Sequence, residues 1–261
     1  MPAPLTLPRL VWGAGPRRAL LVHGLGSSAA LMWRIGVALA DAGWQATAVD
    51  LRGHGDAPRA LDYSVAAYAA DLVETRPVDA PDPVDSAEAP PADTWDAVIG
   101  HSLGAAASVV AAASDPAWGR RLVLIDPAIH VEGRDAGIIR RSQERAFADP
   151  STATVAAEHP HWHPQDIELK VDAVRRGSRW AVEQTSAQNQ PWDVRAQAAR
   201  LEVPTHIVGS DPKVYSLFTG ALAQSVLENP RVTMSVVPGA GHSPHRDKPD
   251  TTIRQILEAL A

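Results

Sequence analysis

Short apolar runs alternate along this chain with longer stretches whose apolar residues recur every three or four positions. Leu5–Trp12 and Arg18–Val22 read as strands, and the turn Gly13-Ala14-Gly15-Pro16 between them suggests a hairpin. Leu31, Met32, Ile35 and Leu39 share one helical face after a candidate cap at Ser27 or Ser28, and Gly43 ends that helix. Gln45–Val49 reads as a strand, Ser64–Val73 as an Ala-rich helix, Trp95–Ile99 as a strand, Leu103–Ala113 as a helix and Arg121–Ile125 as a buried strand. The rhythm returns later with the strand Thr205–Val208, the helix Val214–Leu227, the strand Val232–Val237 and a last helix over Pro249–Leu260. Such alternation needs crossover connections, so the pattern predicts a doubly wound α/β fold with a mostly parallel sheet covered on both faces.

Two segments break the rhythm. Residues 76–94 are rich in Pro, Ala and Asp with little to bury, and read as a mobile surface loop without chemistry. From Ala128 to Arg200 the pattern is helical without a convincing strand. This predicts a sheet core made of residues 1–127 and 201–261, with 128–200 inserted as a helical lid. There is no internal repeat.

Composition narrows the possibilities. A chain of 261 residues can bury one sizeable core. Thirty Asp+Glu against 24 Lys+Arg give a net charge of −6, with no basic cluster to attract nucleic acid. No cysteine is present, which removes disulfides, thiolate metal sites and a cysteine nucleophile. The start Met1-Pro2-Ala3-Pro4 lacks the basic and apolar regions of a signal peptide. No stretch approaches the roughly 20 apolar residues that span a bilayer. A cytoplasmic protein with neither nucleic-acid nor membrane partners is expected, and nothing assigns its oligomeric state.

The chemistry centres on Gly100-His101-Ser102-Leu103-Gly104. In a Gly-x-Ser-x-Gly turn from strand to helix the serine is exposed on a sharp bend, and the flanking glycines let neighbouring backbone pass close by. The strand before and the helix after supply that context here, and the helix N-terminus puts free N–H groups beside Ser102. Serine needs a base to take its proton. Among ten histidines, His242 lies in Gly239-Ala240-Gly241-His242-Ser243-Pro244, a glycine-rich loop at the end of the last strand. That is the edge where open α/β sheets carry their sites; His245 lacks this setting. The imidazole in turn needs a carboxylate to orient it. Asp211 and Asp126 both follow strands, in Ser210-Asp211-Pro212 and Ile125-Asp126-Pro127, and the order Ser…Asp…His suits either. His23-Gly24-Leu25-Gly26 ends another strand, where the Leu25 N–H and the Leu103 N–H could aim at one oxyanion.

With these residues in view, the chain resembles the α/β-hydrolase superfamily, particularly its lidded single-domain esterases, lactonases and related hydrolases. The likeness covers nearly the whole chain: His23-Gly24, Asp50-Leu51-Arg52-Gly53-His54-Gly55, the turn at Ser102, Asp211 and His242. It implies that Asp211 rather than Asp126 is the acid, because the family's acid usually follows its seventh strand. It also implies oxyanion donors at Leu25 and Leu103, a structural role for Asp50–Gly55 and a lid at 128–200. Serine at the turn disfavours cleavage of halocarbons and epoxides, but leaves C–C bond hydrolysis open.

Other readings compete. Gly24-Leu25-Gly26-Ser27-Ser28-Ala29 followed by Asp50 fits a dinucleotide-binding pattern, which would make an NAD-dependent oxidoreductase but leave Ser102 and His242 without purpose. His159-Pro160-His161-Trp162-His163 resembles a metal tract, although prolines flank it and no carboxylate has matching spacing. A hydrolase fold turned to binding alone is a third possibility. The expectation carried forward is a serine hydrolase without metal or cofactor. It would cleave an ester or lactone of a small to medium apolar substrate through an acyl-enzyme, with thioester and C–C cleavage as alternatives. Trp162, Trp180 and Trp192 are candidate lid contacts to that substrate.

Overall fold

A computed structural model describes residues 3–77 and 93–261. The segment 78–92, and with it most of the expected surface loop, lies outside the described residues. The strands in chain order are β1 (Arg9–Trp12), β2 (Arg17–Val22), β3 (Trp44–Val49), β4 (Ala97–His101), β5 (Leu122–Ile125), β6 (His130–Val131), β7 (Trp192–Asp193), β8 (Thr205–Gly209) and β9 (Val232–Val236). The longer helices are α1 (Trp33–Asp41), α2 (Val65–Glu74), α3 (Leu103–Ser114), α4 (Gly133–Ala148), α5 (Thr152–Glu158), α6 (Pro164–Arg176) and α7 (Arg179–Gln188). After them come α8 (Arg195–Ala198), α9 (Gly220–Leu227), α10 (Pro244–Asp247) and α11 (Pro249–Leu260).

Seven strands form one sheet in the order β1-β3-β2-β4-β5-β8-β9. Only β1 runs antiparallel to its neighbour. The sheet alternates with period two yet is buried on both faces, as a covered parallel sheet must be. On β2, Leu20 and Val22 join the core under α2 and α3, while Ala19 and Leu21 join the core under α1 and α11. On β5, Leu122 and Leu124 face the first core, Val123 and Ile125 the second.

The expected hairpin of the first two strands does not form. β1 pairs with β3, Arg9 opposite Val49, and β3 lies between β1 and β2. The turn residues Gly13 and Gly15 instead lie against the backbone of Gly43 and Trp44. The helix expected from Val214 begins only at Gly220, because the preceding loop is drawn into hydrogen bonds described below.

Between β5 and β8 the chain is mostly helical. Two strands too short for a sequence signal, β6 and β7, pair antiparallel at its base, His130 opposite Asp193. Ser151, Ser178 and His163 accept hydrogen bonds from first-turn amides of α5, α7 and α6, and Pro164 occupies the first turn of α6. Asp166 of α6 ties this helical stretch to the start of α1: its carboxylate accepts from Trp33 Nε1 at 2.7 Å and from Arg34 Nε at 3.0 Å. No helix among the described residues is long and apolar enough to cross a membrane.

Candidate active site

The turn at Ser102 owes its shape to the residues on either side. Ser102 has φ 53° and ψ −113°, a backbone conformation that side-chain-bearing residues rarely adopt. Its amide is held by the Ile125 carbonyl at 3.1 Å, and its carbonyl accepts from the Ala128 amide at 3.2 Å. A Cβ on Gly100 would sit 2.8 Å from the Ala105 backbone, and one on Gly104 would sit 2.5 Å from the His23 carbonyl oxygen. The two flanking glycines thus let α3 start directly over β4 and the end of β2 pass against α3.

His242 lies in the loop before α10 and meets both partners. Ser102 Oγ donates to His242 Nε2 at 2.9 Å, and His242 Nδ1 donates to Asp126 Oδ2 at 2.6 Å. His101 Nε2 donates to the His242 carbonyl at 2.8 Å, so the residue before the serine also holds the loop that carries the base.

The acid that faces His242 is Asp126 and not Asp211, which corrects the expectation drawn from the resemblance. Asp126 directly follows β5, the strand beside β4, and is fully buried with φ 35°. Besides His242 it accepts from Ser216 Oγ at 2.6 Å, the Leu217 amide at 3.1 Å and the Phe218 amide at 3.4 Å. Burial pushes its carboxyl pKa up, but these hydrogen bonds and the charge of His242 outweigh it and hold the pKa below the usual value. Asp211 lies just past β8, one strand further from Ser102, and its carboxylate is spent on the amides of Lys213 at 2.9 Å and Gly239 at 2.8 Å. Residues 216–218 wrap around Asp126, which explains why the helix expected from Val214 starts late.

The loop His23-Gly24-Leu25-Gly26 packs directly on this group. A Cβ on Gly24 would lie 3.1 Å from Ser102 Cβ. The amides of Leu25 and Leu103 donate to no protein acceptor among the described residues, and both residues line the cavity above Ser102. The loop is held from behind by two buried histidines. His23 Nε2 accepts from the Leu51 amide and His54 Nε2 from the Gly26 amide, both at 3.1 Å. Burial pushes their pKa values down to about 4 and about 3, so both rings are neutral and can accept. Asp50 accepts from the Ala29 amide at 2.7 Å and the Asp56 amide at 2.9 Å. Arg52 makes a two-point contact with buried Asp71 at 2.6 and 2.7 Å. The Asp50–Gly55 segment is therefore structural, and Asp50 is already engaged where a dinucleotide site would need it for a ribose.

A cavity of about 390 Å³ opens above Ser102 and His242, with residues of α4 and α6 in its wall. Trp162 and Trp192 line it. Trp180 does not: it lies in the first turn of α7, 44% exposed, with its ring edge against Tyr63. Of the three histidines of 159–163, His159 stacks on Trp162 at 3.8 Å and also lines the cavity, His163 caps α6 and packs on Trp33, and His161 is exposed. No group of His, Asp and Glu suited to a metal ion occurs among the described residues. Three participants had no sequence signal: Ser216 on Asp126, and the cations Lys170 and Arg246 in the cavity wall.

The fold and this site define an α/β hydrolase. Residues 19–255 match the model of the alpha/beta hydrolase family, and the chain belongs to that family. It is 29% identical over 267 residues to the 2-(acetamidomethylene)succinate hydrolase of Mesorhizobium japonicum, a match covering 95% of this chain and 89% of that protein. The crystal structure of E-2-(acetamidomethylene)succinate hydrolase superposes with a TM-score of 0.77 at 24% identity, covering 98% of this chain and 95% of that one. A thermophilic esterase from Thermogutta terrifontis does so with a TM-score of 0.71 at 20% identity, covering 97% and 92%. At these identities the structural likenesses speak for the fold alone.

Proposed function

We propose that the protein is a serine hydrolase that cleaves an ester-type acyl bond through a covalent intermediate on Ser102. The observation that carries this reading is the unbroken line Ser102 Oγ–His242 Nε2 and His242 Nδ1–Asp126. His242 takes the hydroxyl proton as Ser102 Oγ bonds to the substrate carbonyl, and the carbonyl electron pair moves onto oxygen. The Leu25 and Leu103 amides receive that oxyanion; one such donor is typically worth about 10²–10³ in rate. His242 then returns the proton to the departing alcohol as the acyl-enzyme forms. Water attacks in the second half-cycle, with His242 again taking and returning a proton, and frees the acid. Asp126 keeps the proton on Nδ1, so that Nε2 is the basic nitrogen throughout. The helices α4 to α7 act as a lid that limits water and shapes the cavity.

Amide cleavage is a second reading, favoured by the relative named for hydrolysis of 2-(acetamidomethylene)succinate. It uses the same parts, with an amine as the leaving group.

A fluorophosphonate probe tests the shared core of both. Covalent labelling of the wild type, lost in Ser102→Ala, is the expected result, and an unlabelled wild type overturns the proposal. A panel of p-nitrophenyl esters and matching anilides then separates ester from amide cleavage.

A further inference from the structure

The cavity wall holds three cations that the chemistry at Ser102 does not use; Arg145 is paired with Glu158, and the other two are Arg246 and Lys170. Arg246, four residues after His242, is 5% exposed. Its Nη2 donates to Ser27 Oγ at 3.3 Å and its Nη1 to Ser243 Oγ at 3.5 Å, its Nε has no acceptor, and the guanidinium lies 5.1 Å from the centre of the Trp162 ring. Lys170, from α6, donates to the Gly26 carbonyl at 2.7 Å. Two residues 76 positions apart thus reach the adjacent residues Gly26 and Ser27 of the loop that carries the Leu25 amide.

Neither cation has a carboxylate partner within ion-pair distance among the described residues. The nearby acids are engaged elsewhere: Asp166 with Trp33 and Arg34, Glu158 with Arg145, and Asp247 with Trp162 Nε1 and the Gly241 amide, both at 2.7–2.8 Å. Enclosed charge without a counter-ion is costly, and a fold seldom keeps two such groups side by side unless something else neutralises them. Burial pushes Lys170 down to about 8, with the charge of Arg246 adding to the shift and Glu158 opposing it. Burial likewise takes Arg246 down to about 10, opposed by Asp166 and Asp247. An anion between them would relieve both.

We infer that the substrate carries a free carboxylate, bound between Lys170 and Arg246 beside the Gly24–Ser27 loop while its acyl carbon lies at Ser102. The inference rests on the hydrolase reading above and puts a small acidic acyl compound in place of the apolar substrate expected from the sequence. A cavity of about 390 Å³ suits such a size.

The test measures protection of Ser102 from fluorophosphonate labelling by pairs that differ only in charge. Succinamate, glutaramate and adipamate are each compared with the corresponding neutral diamide. A charge-assisted contact predicts that at least one acid half-protects at a concentration about 10- to 100-fold lower than its diamide. In Lys170→Met and Arg246→Met that ratio should collapse toward one. Because the readout is a ratio within each protein, partial loss of folded enzyme cancels. A labelled wild type that no acid protects better than its diamide overturns the inference, as does a ratio undiminished in both variants. A wild type that fails to label refutes the hydrolase reading instead. Calorimetry with the same pairs then decides the anion site alone: tighter binding of an acid supports it, and equal or absent binding overturns it.

Discussion

Replacing Asp126 by Asn tests how the site is wired. The substitution keeps shape and removes charge from a fully buried group that accepts from His242, Ser216, Leu217 and Phe218. If the new NH₂ faces His242, Nδ1 must become the acceptor and the proton moves to Nε2, so the ring can no longer take the Ser102 proton. If it takes the place of Oδ1 instead, it faces the Ser216 hydroxyl and the Phe218 amide, and donor meets donor there. Loss of the correct tautomer in a serine triad costs about 10⁴ in kcat, equivalent to roughly 5.5 kcal/mol of barrier at about 1.4 kcal/mol per decade. The misplaced NH₂ should also cost about 1–3 kcal/mol of stability. Asp211→Asn should leave kcat/KM within about threefold, because it removes only two exposed capping bonds. The assay is p-nitrophenyl ester hydrolysis beside the rate of fluorophosphonate labelling, with urea unfolding as the stability check. A larger kinetic loss in Asp211→Asn than in Asp126→Asn would refute the reasoning.

Three further outcomes follow from the same geometry. Ser102→Gly should be inactive yet more stable than Ser102→Ala, because glycine accepts φ 53° freely; a relief of about 1 kcal/mol raises Tm by roughly 2–4 °C in calorimetry. Gly104→Ala should lose about 3 kcal/mol or more, or fail to fold, since its Cβ would meet the His23 and Val22 carbonyl oxygens; a wild-type urea midpoint would contradict this. Stability should fall on acidification from pH 6.5 toward 4, because His23 and His54 stay neutral in the fold while the unfolded chain binds protons there. Each histidine gives a slope of about 1.4 kcal/mol per pH unit, so the loss between pH 7 and 5 should reach at least about 2 kcal/mol by urea unfolding. Equal stability at the two pH values would count against buried neutral rings.

The order of strands and helices, the turn at Ser102 and the loop of His242 were legible in the chain, because each rests on local rules. Period-two and period-3.6 patterns mark elements, and glycines mark places where backbone must pass close. The acid was not legible. Asp126 and Asp211 both precede proline at the end of a strand, and what separates them is position in the sheet. β5 lies next to β4 and β8 one strand further, while three donors some 90 residues away in sequence turn Asp126 toward His242. The same limit hid the pairing of β1 with β3, the outward stance of Trp180, and the meeting of Lys170 with Arg246 over one loop. By itself the sequence determined a serine, a histidine and the α/β frame that presents them. Tertiary structure decided which carboxylate orients the histidine and which charges await the substrate, since both depend on contacts between residues far apart in the chain.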